Sequence, residues 1–99
     1  MDFFTAAAKG ALNVLDKALE EGFDINQISD SSGGRTALML AAKNNQLAAV
    51  NCLLQKGADV DFRRHRGPTA LKVAMDAGHV MLVQALLQGG ASAKAKYHT

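Results

Sequence analysis

Cysteine is almost absent from the 99 residues: Cys52 stands alone, so no internal disulfide can form. That absence predicts a reducing compartment, and the chain is expected to be intracellular and cytoplasmic. Cys52 itself falls on the apolar side of a helical stretch, where it reads as a small buried group rather than a reactive thiol. Tryptophan is missing and aromatics make up 5% of the chain, although 48% of it is apolar. Abundant alanine lets helices approach closely, which suits thin stacked layers better than one thick core. No apolar run approaches the roughly 20 residues that a membrane span needs. Met1-Asp2-Phe3 puts no basic segment before an apolar run, so no signal peptide is evident.

What is present is a repeat. Thr36-Ala37-Leu38 recurs as Thr69-Ala70-Leu71, and Gly57-Ala58 as Gly90-Ala91, each 33 residues further on. Self-similarity at that period marks a stacked array of supersecondary units. In the central unit the Thr36 hydroxyl is placed to cap the first exposed amides of a helix carrying Leu38, Leu40, Ala41 and Ala42. Asn44-Asn45 breaks that helix, and Leu47, Val50, Leu53 and Leu54 then recur at helical spacing. Gly57 tolerates a positive φ just past the helix end. Val60 to Gly67 shows no helical pattern and predicts an extended loop or hairpin. The core is expected to include Leu54 and Leu87, so that truncating either to alanine costs roughly 2–5 kcal/mol.

The first unit is a weaker copy. Phe3 to Ala8 stands where its first helix belongs, and Leu12, Val14, Leu15, Ala18 and Leu19 line the second. Gly22-Phe23-Asp24-Ile25-Asn26 echoes Gly57-Ala58-Asp59-Val60-Asp61 at an offset of 35, which predicts a longer tip over Ser29 to Gly34. Lys9, Asn13, Asp16, Lys17 and Glu20 supply the polar outer face of a terminal unit. Phe3-Phe4 is expected to seal the seam with the second unit. The units divide at about residues 1–33, 34–66 and 67–99 of a single domain.

Thr36-Ala37-Leu38-Met39-Leu40-Ala41 and Thr69-Ala70-Leu71-Lys72-Val73-Ala74 resemble the ankyrin repeat, whose signature is T-P-L-H-x-A at a period of 33. Leu53-Leu54-Gln55-Lys56-Gly57-Ala58-Asp59-Val60-Asp61 and Ala77-Gly78-His79-Val80 extend the match to nearly the whole chain. It departs where the family has proline, here Ala37 and Ala70, and histidine, here Met39 and Lys72. The resemblance implies an all-α ankyrin-repeat solenoid of stacked helix-turn-helix units with projecting hairpin-like loops. It implies a non-catalytic protein–protein interaction module. It also implies that finger tips and exposed inner-helix positions form a concave recognition surface. Here those are Arg35, Met39, Lys43, Asn44, Lys72 and Asp76, with the tip Arg63-Arg64-His65-Arg66.

Charge sharpens that expectation. Residues 1–33 carry two lysines against six acids, whereas residues 34–66 carry six basic groups against two acids. Arginines pooled on one face take carboxylates or phosphates through two-point hydrogen bonds, which points to a partner with an acidic patch. Nucleic acid is disfavoured, because the tip has no interleaved aromatics to stack bases and the chain has no recognition helix or zinc-finger spacing. The competing readings are a regulatory or targeting fragment of a larger ankyrin-containing protein and a nucleic-acid adaptor. No enzyme activity, metal or cofactor is expected. His65, His79 and His98 are scattered, Asp59 and Asp61 fall on a turn, and the glycines form no phosphate-cradling loop. Finally, Val80 to Leu87 is apolar almost all round, where a terminal helix should carry polar residues outward. This helix, around Met81 and Ala85, is therefore expected to face either a further repeat or a second subunit, the latter giving self-association.

Overall fold

The computed structural model describes residues 1–30 and 33–90. Ser31 and Ser32 in the first tip, and the C-terminal stretch with Ala91 and His98, lie outside the described residues. Six helices occur among those described: α1 (Phe3–Lys9), α2 (Leu12–Glu20), α3 (Ala37–Lys43), α4 (Leu47–Gln55), α5 (Ala70–Ala77) and α6 (Val80–Gln88). They form three antiparallel pairs. In the inner layer α1 packs on α3 and α3 on α5, while α2, α4 and α6 line up behind them.

Each inner helix begins because a side chain replaces the missing backbone acceptor. Thr36 Oγ1 accepts the Met39 N–H at 3.3 Å, and Thr69 Oγ1 accepts the Lys72 N–H at 3.2 Å. Asp2 does the same for α1, accepting the Thr5 N–H at 2.6 Å. The Thr5 amide holds the Asp2 carboxyl below its usual pKa. Thr36 is buried, so its loss also strands the Met39 N–H. Thr36→Ala is expected to cost about 1–2 kcal/mol, read as a lower urea midpoint at unchanged m.

The layers close because their contact residues are small. Ala6, Ala7, Ala37, Ala41, Ala42, Ala70 and Ala74 are all buried, and with no side chain beyond Cβ they let inner helices approach closely. Leu15, Leu38, Val50, Leu53, Leu82 and Leu86 fill the space between layers. Gly57 ends α4 at φ 94°, as its position predicts.

Two expectations about the core need correcting. Leu54 is only half-buried, lying beneath Gly89 at the end of α6. Leu87 is 44% exposed, with no later helix among the described residues against its side of α6. Cys52 is also half-buried rather than fully enclosed. Phe3 and Phe4 meet edge to face with ring centroids 6.0 Å apart, and both also close on Phe23, at 4.5 Å (Phe3) and 5.9 Å (Phe4). The trio tightens the first unit on itself.

Candidate partner-binding surface

Between the helix pairs the chain projects as fingers whose bases are fixed by short polar contacts. Asp24 Oδ1 accepts the Asn26 N–H at 2.9 Å, and Asp59 Oδ1 accepts the Asp61 N–H at 3.2 Å. Both aspartates therefore serve local Asx turns. Asn26 Oδ1 also accepts the Asp59 N–H at 2.7 Å, which ties the first finger to the second. The first finger closes through an antiparallel bridge, Ser29 to Arg35. The second has no bridge among the described residues. It turns instead at Arg64 to Gly67, whose N–H donates to the Arg64 carbonyl at 2.8 Å. His65 sits at that turn with φ 56°, a left-handed conformation that costs a non-glycine residue energy. Of the loop or hairpin expected over Val60 to Gly67, the structure shows a loop with a tight turn, while the bridge closes the first finger.

The two tips lean together. The Arg64 side chain lies across Gly34 (φ 83°), in the space that a Cβ there would fill. Between them opens a cleft of about 340 Å³, walled by Arg35, Arg64 and His65 and floored by Met39. On the other side of Gly67-Pro68 lies a second cleft of about 510 Å³, lined by Arg63, Arg66, Thr69, Lys72 and Asp76. The arginine run therefore splits, with Arg64 facing one cleft and Arg63 and Arg66 the other. Lys72 Nζ pairs with Asp76 Oδ1 at 3.0 Å on an exposed helix face. Its charge is thereby half-answered, and positive charge in the second cleft comes mainly from Arg63 and Arg66. The other ion pair among the described residues, Lys56–Asp16 at 4.0 Å, also uses no arginine.

Eight of the ten residues expected at this surface thus line the clefts. Met39 is only 3% exposed, so it supports the floor and presents little to a partner. Lys43 and Asn44 line neither cleft. Lys43 closes α3, roughly 9 Å along the axis from Ala37. Asn44 follows it and donates from Nδ2 to the Leu40 carbonyl at 2.8 Å. Two residues that line both clefts, Gly67 and Pro68, carry no charge and gave no signal in the sequence beyond a turn.

The remaining chemistry-bearing side chains are structural. His79 Nε2 lies 3.3 Å from the Lys43 carbonyl, tying the third helix pair to the second. The Cys52 thiol donates to Asp16 Oδ1 at 3.4 Å. Burial pushes that thiol up from its usual pKa, and the Asp16 carboxylate pushes it further. A protonated thiol is a poor nucleophile and a poor metal ligand. Among the described residues no group of three or more His, Cys, Asp or Glu stands together as a metal site.

Residues 3–97 match the family described as ankyrin repeats, three copies. The chain belongs to the ankyrin-repeat family. Helix pairs with Thr caps, alanine-rich inner layers and projecting fingers are what that membership requires. Ankyrin repeats generally serve as non-catalytic interaction modules, and the match supports a protein–protein interaction module here. It is 36% identical over 88 residues to the Caenorhabditis elegans "Ankyrin repeat and KH domain-containing protein mask-1", which covers 88% of this chain and 3% of that protein. It is 38% identical over 78 residues to the mouse "B-cell lymphoma 3 protein homolog", covering 79% of this chain and 17% of that one. The human ASB11 ankyrin repeat domain superposes with a TM-score of 0.82 at 28% identity, covering 99% of this chain and 43% of that structure. This ankyrin module thus spans a minor part of the relatives that it matches. Among its described residues no helix is long and apolar enough to cross a membrane.

Proposed function

We propose that this ankyrin module binds an acidic segment of another protein, laid across Gly67-Pro68 so that both clefts are used. The supporting observation is the sharing of one wall by two open, arginine-bearing clefts. Arg35 and Arg64 receive one carboxylate group, and Arg63 and Arg66 the next, in the forked geometry that guanidinium groups favour. Asn26 and the Asx turns hold the finger bases, so the arginines are presented on a scaffold ordered in advance, which lowers the entropic cost of binding. The module acts as one domain of three units dividing near residues 34 and 67. It works in the cytoplasm, where Cys52 remains a thiol, either alone or as a targeting element of a longer chain.

The test is a titration of the 99-residue chain with a labelled Glu/Asp-rich peptide, a neutral peptide of equal length, and single-stranded DNA and RNA, each across a range of salt concentrations. Saturable binding of the acidic peptide alone, weakening gently with salt, supports the proposal. Equal binding of every polyanion with a steep salt slope would identify a phosphate-driven surface and overturn it. So would no binding at all.

A further inference from the structure

We propose that the cleft between the two finger tips selects a phosphorylated serine or threonine side chain, in preference to the carboxylate it also accepts. The proposal rests on the fingers being the seat of an acidic segment, and it names the group on that segment which the inner cleft prefers. The two clefts differ in what lines them. Between the tips stand Arg35, Arg64 and His65, with no Asp or Glu in the lining. Beside them, Asp76 stands among Arg63, Arg66 and Lys72. Counting only permanently charged groups, the two arginines of the first cleft match the three cations less one acid of the second. The first, however, holds that charge in about 340 Å³ against about 510 Å³. A dianion gains most where cations are densest and no carboxylate opposes it.

The donors converge from both fingers, each on a backbone that is already fixed. Arg35 closes the first finger, where its carbonyl accepts the Ser29 N–H at 2.9 Å. Arg64 and His65 belong to the turn of the second, closed by the Gly67 N–H on the Arg64 carbonyl at 2.8 Å. Gly34 is what lets the two sides meet. It is buried with φ 83°, and Arg64 crosses the space that a Cβ would take. His65 holds φ 56°, a conformation of the kind that gathers at ligand-binding positions. Neither Arg35 nor Arg64 enters an ion pair among the described residues.

The chemistry of the donors separates the two anions. The acceptor sites of a carboxylate lie in one plane, and a single guanidinium already satisfies both of its oxygens. A second arginine and an imidazole on other sides of the cleft are then surplus. A phosphate monoester carries a charge of about −1.5 to −2 and points three oxygens in three directions. Both guanidinium groups and the His65 ring can therefore engage it together. Asp76 makes the second cleft the poorer host for a dianion and leaves it to the carboxylates of the same segment. Capture of the partner is thus strengthened by a protein kinase acting on that segment.

Fluorescence anisotropy of the full chain with Glu/Asp-rich peptides tests this at fixed salt. One position is moved through the peptide, and each register is made with serine, glutamate and phosphoserine. The expected result is a register at which phosphoserine binds at least about tenfold tighter than either of the others. Arg35→Ser with Arg64→Ser should abolish that gain, and Arg64→Ser alone serves if the double variant fails to melt cooperatively. Arg63→Ser with Arg66→Ser should weaken all three peptides alike and leave the gain in place. His65→Asn, a side chain that tolerates positive φ, should remove part of it. Phosphoserine no better than glutamate at any register, with the acidic peptides still bound, overturns this proposal and leaves the acidic-segment reading standing. No binding by any peptide overturns both. A gain lost with Arg63 and Arg66 instead, or matched by single-stranded nucleic acid at equal phosphate concentration, also overturns it.

Discussion

Leu53→Ala should lower the stability of the module by about 2–5 kcal/mol, and Leu87→Ala by less than about 1 kcal/mol. Both are helical leucines in an apolar run, separated by one position in the repeat. Leu53 is completely buried in α4, whose neighbours α2 and α6 stand on either side. Removing its side chain opens a cavity in the buried core that it shares with Leu15, Val50, Leu82 and Leu86. In a short array, where each unit is held only by its neighbours, loss at the centre weakens both seams at once. A domain of this length has about 5–15 kcal/mol of stability in total, so the variant should unfold at a much lower urea concentration. Leu87 is half in water already, and its truncation removes little buried area. Equal costs for the two substitutions would show that the outer side of α6 is covered in solution.

The same contrast shows what the sequence discloses and what it withholds. Caps and helix ends are local, so Thr36, Thr69 and Gly57 were legible from their neighbours within four residues. Helix pairing was legible because apolar spacing and a period of 33 residues are visible in one dimension. Leu53 and Leu87 look alike on that basis, since spacing says which side of a helix is apolar but not whether another helix lies against it. Contacts between units were also hidden. Asn26 holds Asp59 across 33 residues, and Asp16 meets Cys52 across 36, each through ordinary polar side chains with no motif to mark them. Phe23 gave no sign that it would complete a ring trio with Phe3 and Phe4. At the fingers the arginine run was evident as charge, but its division between two clefts depends on the turn from Arg64 to Gly67. The approach of Arg64 to Gly34 depends on a glycine having no Cβ, which only the packed tips reveal.

Replacing Arg63, Arg64 and Arg66 together with serine should weaken binding of an acidic peptide by roughly 30- to 150-fold, or about 2–3 kcal/mol. Three charge-assisted contacts on an open surface each contribute well under their value in a buried site, because water and salt screen them. The three side chains are exposed, and none of them enters an ion pair among the described residues. Thermal unfolding should accordingly move by no more than about 2 °C. Because the run is split, the partial variants should not be equivalent. Arg35→Ser with Arg64→Ser removes the guanidinium groups of the cleft between the tips, and Arg63→Ser with Arg66→Ser those of the cleft beside Lys72. If one segment spans both, each double variant loses part of the affinity and shortening the peptide abolishes the effect of one of them. Measured by fluorescence anisotropy at fixed salt, a full loss from one double variant and none from the other would confine the partner to a single cleft. An unchanged affinity in the triple variant would remove the finger arginines from recognition altogether.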